Sequence, residues 1–337
     1  MITPGPNNLI TDVDGIRVGN AADEKARTGV TVVVPDNPVV AGVDVRGGGP
    51  GTRETDALDP TCVVDRINAI TLSGGSVFGL EAASAVTTWL AEQGRGFEFG
   101  RAVVPVVPAA VLFDLANGGD KDWGRASPFA SLAWKACENL DDGRFALGNV
   151  GAGYGATAGP LKGGLGSVSA LTDDGVQVGA LVAVNPFGSV TMPGSDALWA
   201  WPWEQNGEYG GRRPDGNIAP VDPDYAFPGG AAVAGGNTTL GIVATNIMLD
   251  KAQAQRIAIM AQDGISRAIR PVHTPFDGDT IFVISTGTKE IFEPAIPMIA
   301  RLGMMAADCV ARAIGRGVYA ADGLGEFPGY KNNIAGA

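Results

Sequence analysis

Thr238 and Thr239 stand between a stretch of small residues, Gly235-Gly236-Asn237, and a continuous apolar run, Leu240-Gly241-Ile242-Val243-Ala244-Thr245-Asn246. The run reads as a buried strand. A hydroxyl residue at the entry to such a strand, preceded by small flexible residues, has what an autocatalytic cut site requires. Breakage of the Asn237–Thr238 bond makes Thr238 a new N-terminus. Its own α-amine can then serve as base for its own hydroxyl. Glycines, an asparagine and two threonines before a strand also describe an ordinary loop entering a sheet. Four further segments bear on that choice.

The chain has 337 residues, 45% of them hydrophobic, enough for a large buried core. Its 50 glycines and 22 prolines punctuate apolar runs rather than forming repeats, as in a turn-rich globular protein. The net charge of −12 and the lack of any Lys/Arg stripe argue against a nucleic-acid partner. The single histidine, His273, disfavours a His-rich metal site, and any Ser-His-Asp triad would depend on it alone. Cys62, Cys137 and Cys309 are widely spaced without a CxxC, so we expect buried free thiols in a reducing, cytoplasmic compartment. Neither a signal peptide nor a run of 18 apolar residues is evident, so no membrane association is expected.

Strand-like runs come early, at Gly29–Val34, Val39–Val45 and Ala69–Leu72. A helical spacing begins at Val77 and continues to Ala91, and Val103–Val107 reads as a buried strand. A helix is expected over Pro128–Asn139. Ser167–Leu171 and Val176–Val184, joined by Asp173-Asp174-Gly175, carry a hairpin signal. Residues 192–236 are irregular and aromatic, with Trp199, Trp201, Trp203, Tyr209, Tyr225 and Phe227, which could line an apolar groove or pack the loop onto its own domain. Helices are expected over Leu249–Ile269 and Pro294–Arg316, with a strand at Thr280–Ser285 between them. Separated helices between hairpin-like strand pairs point to an α/β class protein, a four-layer α/β/β/α sandwich, with a doubly wound sheet as the alternative.

The four segments follow in chain order. Arg46-Gly47-Gly48-Gly49-Pro50-Gly51-Thr52-Arg53-Glu54-Thr55-Asp56 is either an anion-binding nest or a glycine-rich turn, and lacks the spacing of a phosphate loop. In Val150–Gly166, Lys162 lies among glycines with little side-chain cover. It is either a surface lysine or a cation beside a nucleophile. Asn185 of Val184-Asn185-Pro186-Phe187-Gly188 either ends a strand or offers its amide to an oxyanion. Asp277 and Asp279, in His273-Thr274-Pro275-Phe276-Asp277-Gly278-Asp279-Thr280, are either a solvated turn or a carboxylate pair that orients an amine. The calcium-loop pattern is absent.

With Leu72-Ser73-Gly74-Gly75-Ser76, these segments stand in the order found in the DmpA-like L-aminopeptidase/D-esterase family, which the chain resembles over nearly its full length. That family includes β-peptidyl aminopeptidases and the endo-type nylon-oligomer (6-aminohexanoate) hydrolases. The resemblance implies a self-processing N-terminal-nucleophile fold in one catalytic domain, residues 1–337, cut into an α chain, 1–237, and a β chain, 238–337. It implies Thr238 as nucleophile, Asn237–Thr238 as the cleavage site, and Lys162, Asn185, Asp277 and Asp279 in support. Phe113, Ser73, Gly74 and Tyr154 are the implied substrate-binding residues. No cofactor or metal is implied. A homo-oligomer, a tetramer, is.

Two departures bear on specificity. The aminopeptidase branch has a Glu after its Val-Val-Pro-like strand, to hold a free amine. This chain has Ala109 after Val106-Val107-Pro108, with Asp114 the nearest partial substitute in the segment. The nylon-hydrolase branch has a Tyr where Phe113 stands. A Thr nucleophile leans toward the hydrolases, whereas Gly-Thr-Arg-Glu-Thr-Asp leans toward the aminopeptidases. The expected activity is amide hydrolysis of small peptides, amides or ω-amino-acid oligomers. Alternatives are an exo-acting L-aminopeptidase/D-amidase-esterase or β-aminopeptidase, an amine acyltransferase, and an unprocessed binding protein of the same fold.

Overall fold

The computed structural model describes residues 1–215, 236–291 and 294–335. Two sheets form its centre. The first runs, edge to edge, β1 (Ile2–Thr3), β12 (Gly164–Thr172), β13 (Gln177–Asn185), β14 (Thr238–Ile247), β15 (Thr280–Lys289) and β4 (Val40–Val45). The second runs β2 (Ile16–Asp23), β3 (Thr28–Pro35), β6 (Ile70–Ser73), β9 (Ala109–Val111) and β5 (Gly51–Arg53). Two small hairpins stand apart: β7 (Phe97–Phe99) with β8 (Ala102–Val104), and β10 (Thr157–Ala158) with β11 (Leu161–Lys162). The helices are α1 (Glu81–Glu92), α2 (Phe129–Glu138), α3 (Lys251–Ala268), α4 (Ala295–Ala320) and the short α5 (Tyr330–Ala335).

Side-chain alternation sorts the strands into layers, because successive residues of a strand face opposite sides. In β15, Ile281 and Val283 pack toward α3 and α4, while Phe282 and Ile284 face the other sheet. In β13, Val178, Ala180, Val182 and Val184 take the helix side, and Leu181 and Ala183 the sheet side. In β3, Val30, Val32 and Val34 pack with α1 and α2, and Val33 points inward. Three apolar layers therefore separate four structural layers, α3/α4, sheet, sheet and α1/α2. Central strands covered on both faces read as near-continuous apolar runs, which is what Leu240–Asn246 displays. The α/β/β/α sandwich expected from the sequence is the fold found.

β14 and β15 are parallel and joined through α3, which carries a capping box at Asp250 and Gln253. This unit brings the first residue of β14, Thr238, next to the loop that feeds β15. The expected hairpin is β12–β13, paired from Gly164↔Val184 to Leu171↔Gln177.

Some local expectations are overturned. Val103–Val107 is not a buried strand. Pro105 and Pro108 remove two ladder donors, and Ala102–Val104 pairs instead with Phe97–Phe99 in a surface hairpin where Phe97 and Phe99 are 67% and 74% exposed. The strand that enters the sheet is β9, beginning just after Pro108. The helix expected from Val77 opens with a 3-10 stretch, Ser76–Leu80, that leaves Val77 and Phe78 exposed. Cys137 and Cys309 are buried free thiols, but Cys62 is exposed. Trp199 and Trp203 lie against the guanidinium groups of Arg270 and Arg267, and Tyr209 is buried in the helix-side core with its hydroxyl on the Ala200 carbonyl. The described part of the aromatic loop is thus packed onto its own domain. Tyr225, Phe227 and Gly235 lie outside the described residues. Among the described residues no helix is long and apolar enough to cross a membrane.

Candidate active site

The site forms where β13, β14 and the 273–279 loop meet. β13 ends at Asn185 directly opposite Thr238, the first residue of β14. Thr238 is buried. The Thr238 hydroxyl donates to the Asn237 carbonyl oxygen. That oxygen also accepts the Gly278 N–H at 2.9 Å. The Asn237 amide is tied down through Nδ2 to the Pro186 carbonyl at 3.2 Å and through its main-chain N–H to Phe276 at 3.3 Å. The Asn237 carbonyl oxygen is therefore held by a main-chain N–H and contacted by the Thr238 hydroxyl.

The two aspartates organise the rim of this arrangement. Asp279 accepts the Thr239 N–H on Oδ1 at 2.8 Å, and on Oδ2 the His273 N–H at 3.1 Å and ring Nδ1 at 2.8 Å. Asp277 accepts the Phe187 N–H on Oδ1 at 3.0 Å, and on Oδ2 the Thr274 N–H at 2.9 Å and hydroxyl at 2.6 Å. Burial, followed by the neighbouring charge of Asp279, raises the pKa of Asp277 above the ordinary carboxylate range, against the hydrogen bonds from Thr274 and Phe187. Both aspartates are buried, so neither belongs to a solvated turn.

The triple glycine of the first segment packs on this loop. Gly47 N–H reaches the Asp279 carbonyl, Gly48 N–H that of Thr274 and Gly49 N–H that of Asp277. A Cβ on Gly47 would stand 2.3 Å from the Asp277 carbonyl oxygen. Three of the donors expected of an anion nest are spent on backbone, and the missing side chains permit that close stacking.

Asn185 is fully buried. Its Oδ1 accepts the Thr157 N–H at 2.8 Å, and its Nδ2 donates to the Phe113 carbonyl at 3.0 Å, leaving one amide hydrogen over. Thr157 is in turn paired with Lys162 across β10–β11, so Lys162 is reached from Thr238 through Asn185 and Thr157. Lys162 is 1% exposed and not a surface residue. Its ammonium donates to the carbonyls of Gly153, Ala156 and Gly163 at 3.0, 2.8 and 2.8 Å. Burial lowers its pKa to about 7, and the charge of Asp114 opposes that shift. Its hydrogen bonds all go to main-chain carbonyls, so Lys162 offers the site no free donor.

The other predicted residues border this core. The Phe113 carbonyl orients Asn185, while the Ser73 hydroxyl donates to the Gly74 carbonyl at 3.0 Å. Gly74 backs onto Asp114, whose Oδ2 would lie 2.1 Å from a Cβ at that position. Tyr154 is half-buried in the loop whose carbonyls hold Lys162. Asp114 is 3% exposed, with Oδ1 accepting the Gly75 N–H, and burial raises its pKa. It is enclosed by Gly74 and Gly155 and is not open to a substrate ammonium. Sequence reasoning assigned no contact to the Gly278 N–H or to His273, nor to Glu54, whose Oε2 accepts the Val107 N–H at 3.1 Å, away from these residues. The glycine between the two aspartates was the only hint of the first.

The model of peptidase family S58 matches residues 8–332. The chain belongs to peptidase family S58. It is 42% identical to an uncharacterized aminopeptidase of Mycobacterium tuberculosis, over 98% of this chain and 99% of that one. It is 29% identical to the 6-aminohexanoate-oligomer endohydrolase of Kocuria sp., over 88% of this chain and 79% of the relative. The solved L-aminopeptidase D-Ala-esterase/amidase from Ochrobactrum anthropi, described as a variant of the Ntn hydrolase fold, superposes with a TM-score of 0.70 at 21% identity. That match covers 99% of this chain and 94% of the other. S58 membership makes the chain a hydrolase of amide or peptide bonds rather than a binding protein.

Proposed function

We propose that this chain cuts itself between Asn237 and Thr238, and then hydrolyses small peptides, amides or ω-amino-acid oligomers with Thr238 as an N-terminal nucleophile. The observation that carries this reading is the Asn237 carbonyl oxygen, held by the Gly278 N–H and touched by the Thr238 hydroxyl. Thr238 Oγ attacks that carbonyl carbon. The carbon–nitrogen bond breaks, its nitrogen takes up a proton, and the acyl group passes to Oγ as an ester. Water hydrolyses the ester, leaving a carboxylate on Asn237 and a free α-amine on Thr238.

In the processed enzyme the α-amine removes the hydroxyl proton as Oγ attacks the substrate amide, and hands it to the leaving amine. An unperturbed terminal amine titrates near about 7.7–8. Thr238 is buried, which disfavours the cationic form of its amine and so lowers that value, populating the free base near neutral pH. In this reading the remaining Asn185 amide hydrogen and the Gly278 N–H are the donors to the developing oxyanion. Asp279 and Asp277 hold the ends of β14 and β13 around the new terminus.

With Asp114 enclosed, little in the 106–114 segment would hold a substrate ammonium, which favours weak dependence on a free N-terminus. A second reading, exo-aminopeptidase action, is favoured by Glu54, an exposed carboxylate that stands against Val107. A matched pair of substrates, one free and one N-acetylated, separates the two. Comparable turnover of both supports oligoamide hydrolysis. Loss of turnover on acetylation, with a similar loss for the free substrate in Glu54→Gln, establishes the aminopeptidase.

A further inference from the structure

His273 is the chain's one histidine, and the mechanism above does not use it. Its backbone is left-handed, with φ of +55°. Few non-glycine residues adopt that region, and Asn, Asp and His do so most readily. The conformation has a specific consequence here. It turns the His273 main-chain N–H and ring Nδ1 onto one oxygen, Asp279 Oδ2, at 3.1 and 2.8 Å. The carboxylate accepts, so Nδ1 carries a proton. With Oδ2 clamped by two donors, Oδ1 is left to the Thr239 N–H at 2.8 Å, one residue from the scissile bond.

We propose that His273 is a positioning residue, which by gripping Asp279 Oδ2 from side chain and main chain sets Oδ1 on the start of β14 and so fixes where Thr238 stands. This rests on Thr238 being the nucleophile. The partners of the clamp come from three separate places. His273 lies ahead of the Asp277-Gly278-Asp279 turn, Asp279 ends that turn, and Thr239 lies on β14. The Arg46 and Gly47 N–H groups hold the Asp279 carbonyl from a fourth. Of these ties, the imidazole is the one that a side-chain substitution removes without touching the main chain. Misplacement of a reacting group by about 1 Å costs on the order of 100-fold in rate.

Two substitutions separate the ring's hydrogen bond from the backbone conformation. Glycine takes a left-handed φ without strain but has no donor. Asparagine tolerates the same φ and carries an amide N–H₂ that can stand in for Nδ1–H. His273→Gly is expected to slow both appearance of the 238–337 fragment and kcat of the processed enzyme by about 10- to 100-fold, with KM little changed. His273→Asn should restore both to within a few-fold of native. Melting temperatures in a Thr238→Ala background check that the two variants fold alike. If native chain splits and the Gly and Asn variants split at one common rate, the ring bond does not position anything and the inference is overturned. A native chain that never splits at Asn237–Thr238, and is unaffected by Thr238→Ala in its hydrolysis, instead removes the reading on which the inference rests, and the inference with it.

Discussion

Thr238 and Gly278 are packed so closely that a methyl group added to Gly278 would lie 2.7 Å from Thr238 Oγ. The same methyl would sit 2.9 Å from the Gly49 carbonyl oxygen. Gly278 does not have a positive φ, so alanine there is opposed by contact rather than by backbone strain. Gly278→Ala is expected to push the hydroxyl off the Asn237 carbonyl and to weaken the N–H bond that polarises it. Splitting of the chain should slow by at least about 100-fold, the scale of losing one oxyanion donor. A time course on a denaturing gel, with circular dichroism as fold control, reads the effect. Unchanged splitting would separate Gly278 from the chemistry.

Asn185 is predicted to matter for both rate and stability. Asn185→Ala in processed enzyme should lower kcat by about 100- to 1,000-fold. It also strands the part-buried Thr157 N–H and Phe113 carbonyl that the amide now satisfies. Fully buried groups left unpaired cost about 1–3 kcal/mol each and part-buried ones less, so the melting temperature should fall modestly as well. Native turnover with a lowered melting temperature would mean that Asn185 is purely structural.

Lys162 gives a pH signature. Its folded pKa of about 7 lies well below the unfolded lysine value of about 10.4. Between those values the unfolded chain holds a proton that the folded chain has released. Stability from this group therefore rises as pH rises from 7 toward 10, and is lowest below 7. Buried Cys137 and Cys309, with thiols pushed up to about 12, act in the opposite direction at high pH. The comparison is therefore between Thr238→Ala and Thr238→Ala with Lys162→Met, over pH 7–9. Chemical denaturation should show the first gaining on the second by on the order of 1 kcal/mol per pH unit. Parallel curves would show that Lys162 does not titrate in this window.

Much of the fold is readable along the chain because period-two alternation and caps are local. Phe282 and Ile284 against Ile281 and Val283, or Asp250 with Gln253 at the start of α3, need no knowledge of distant residues. Val103–Val107 misleads because its apolarity is real while its prolines decide the pairing. Thr238, Lys162, Asn185, Asp277 and Asp279 are visible as motifs, but not what each touches. The Gly278 N–H is main chain and leaves no side-chain signal. The Glu54–Val107 bond joins residues 53 apart and exists only once β5 lies beside β9. Asp114 looks available in sequence and is enclosed in the fold, because Gly74 and Gly155 let the backbone close over it.

The most direct measurement is the intact mass and N-terminal sequence of the purified native protein beside Thr238→Ala. The native protein is predicted to give two chains, Met1–Asn237 and Thr238–Ala337, with amide hydrolysis confined to the split form. The variant should remain one folded chain without activity. A native protein that hydrolyses amides as a single uncut chain, or whose new N-terminus is a residue other than Thr238, would contradict the assignment of the nucleophile.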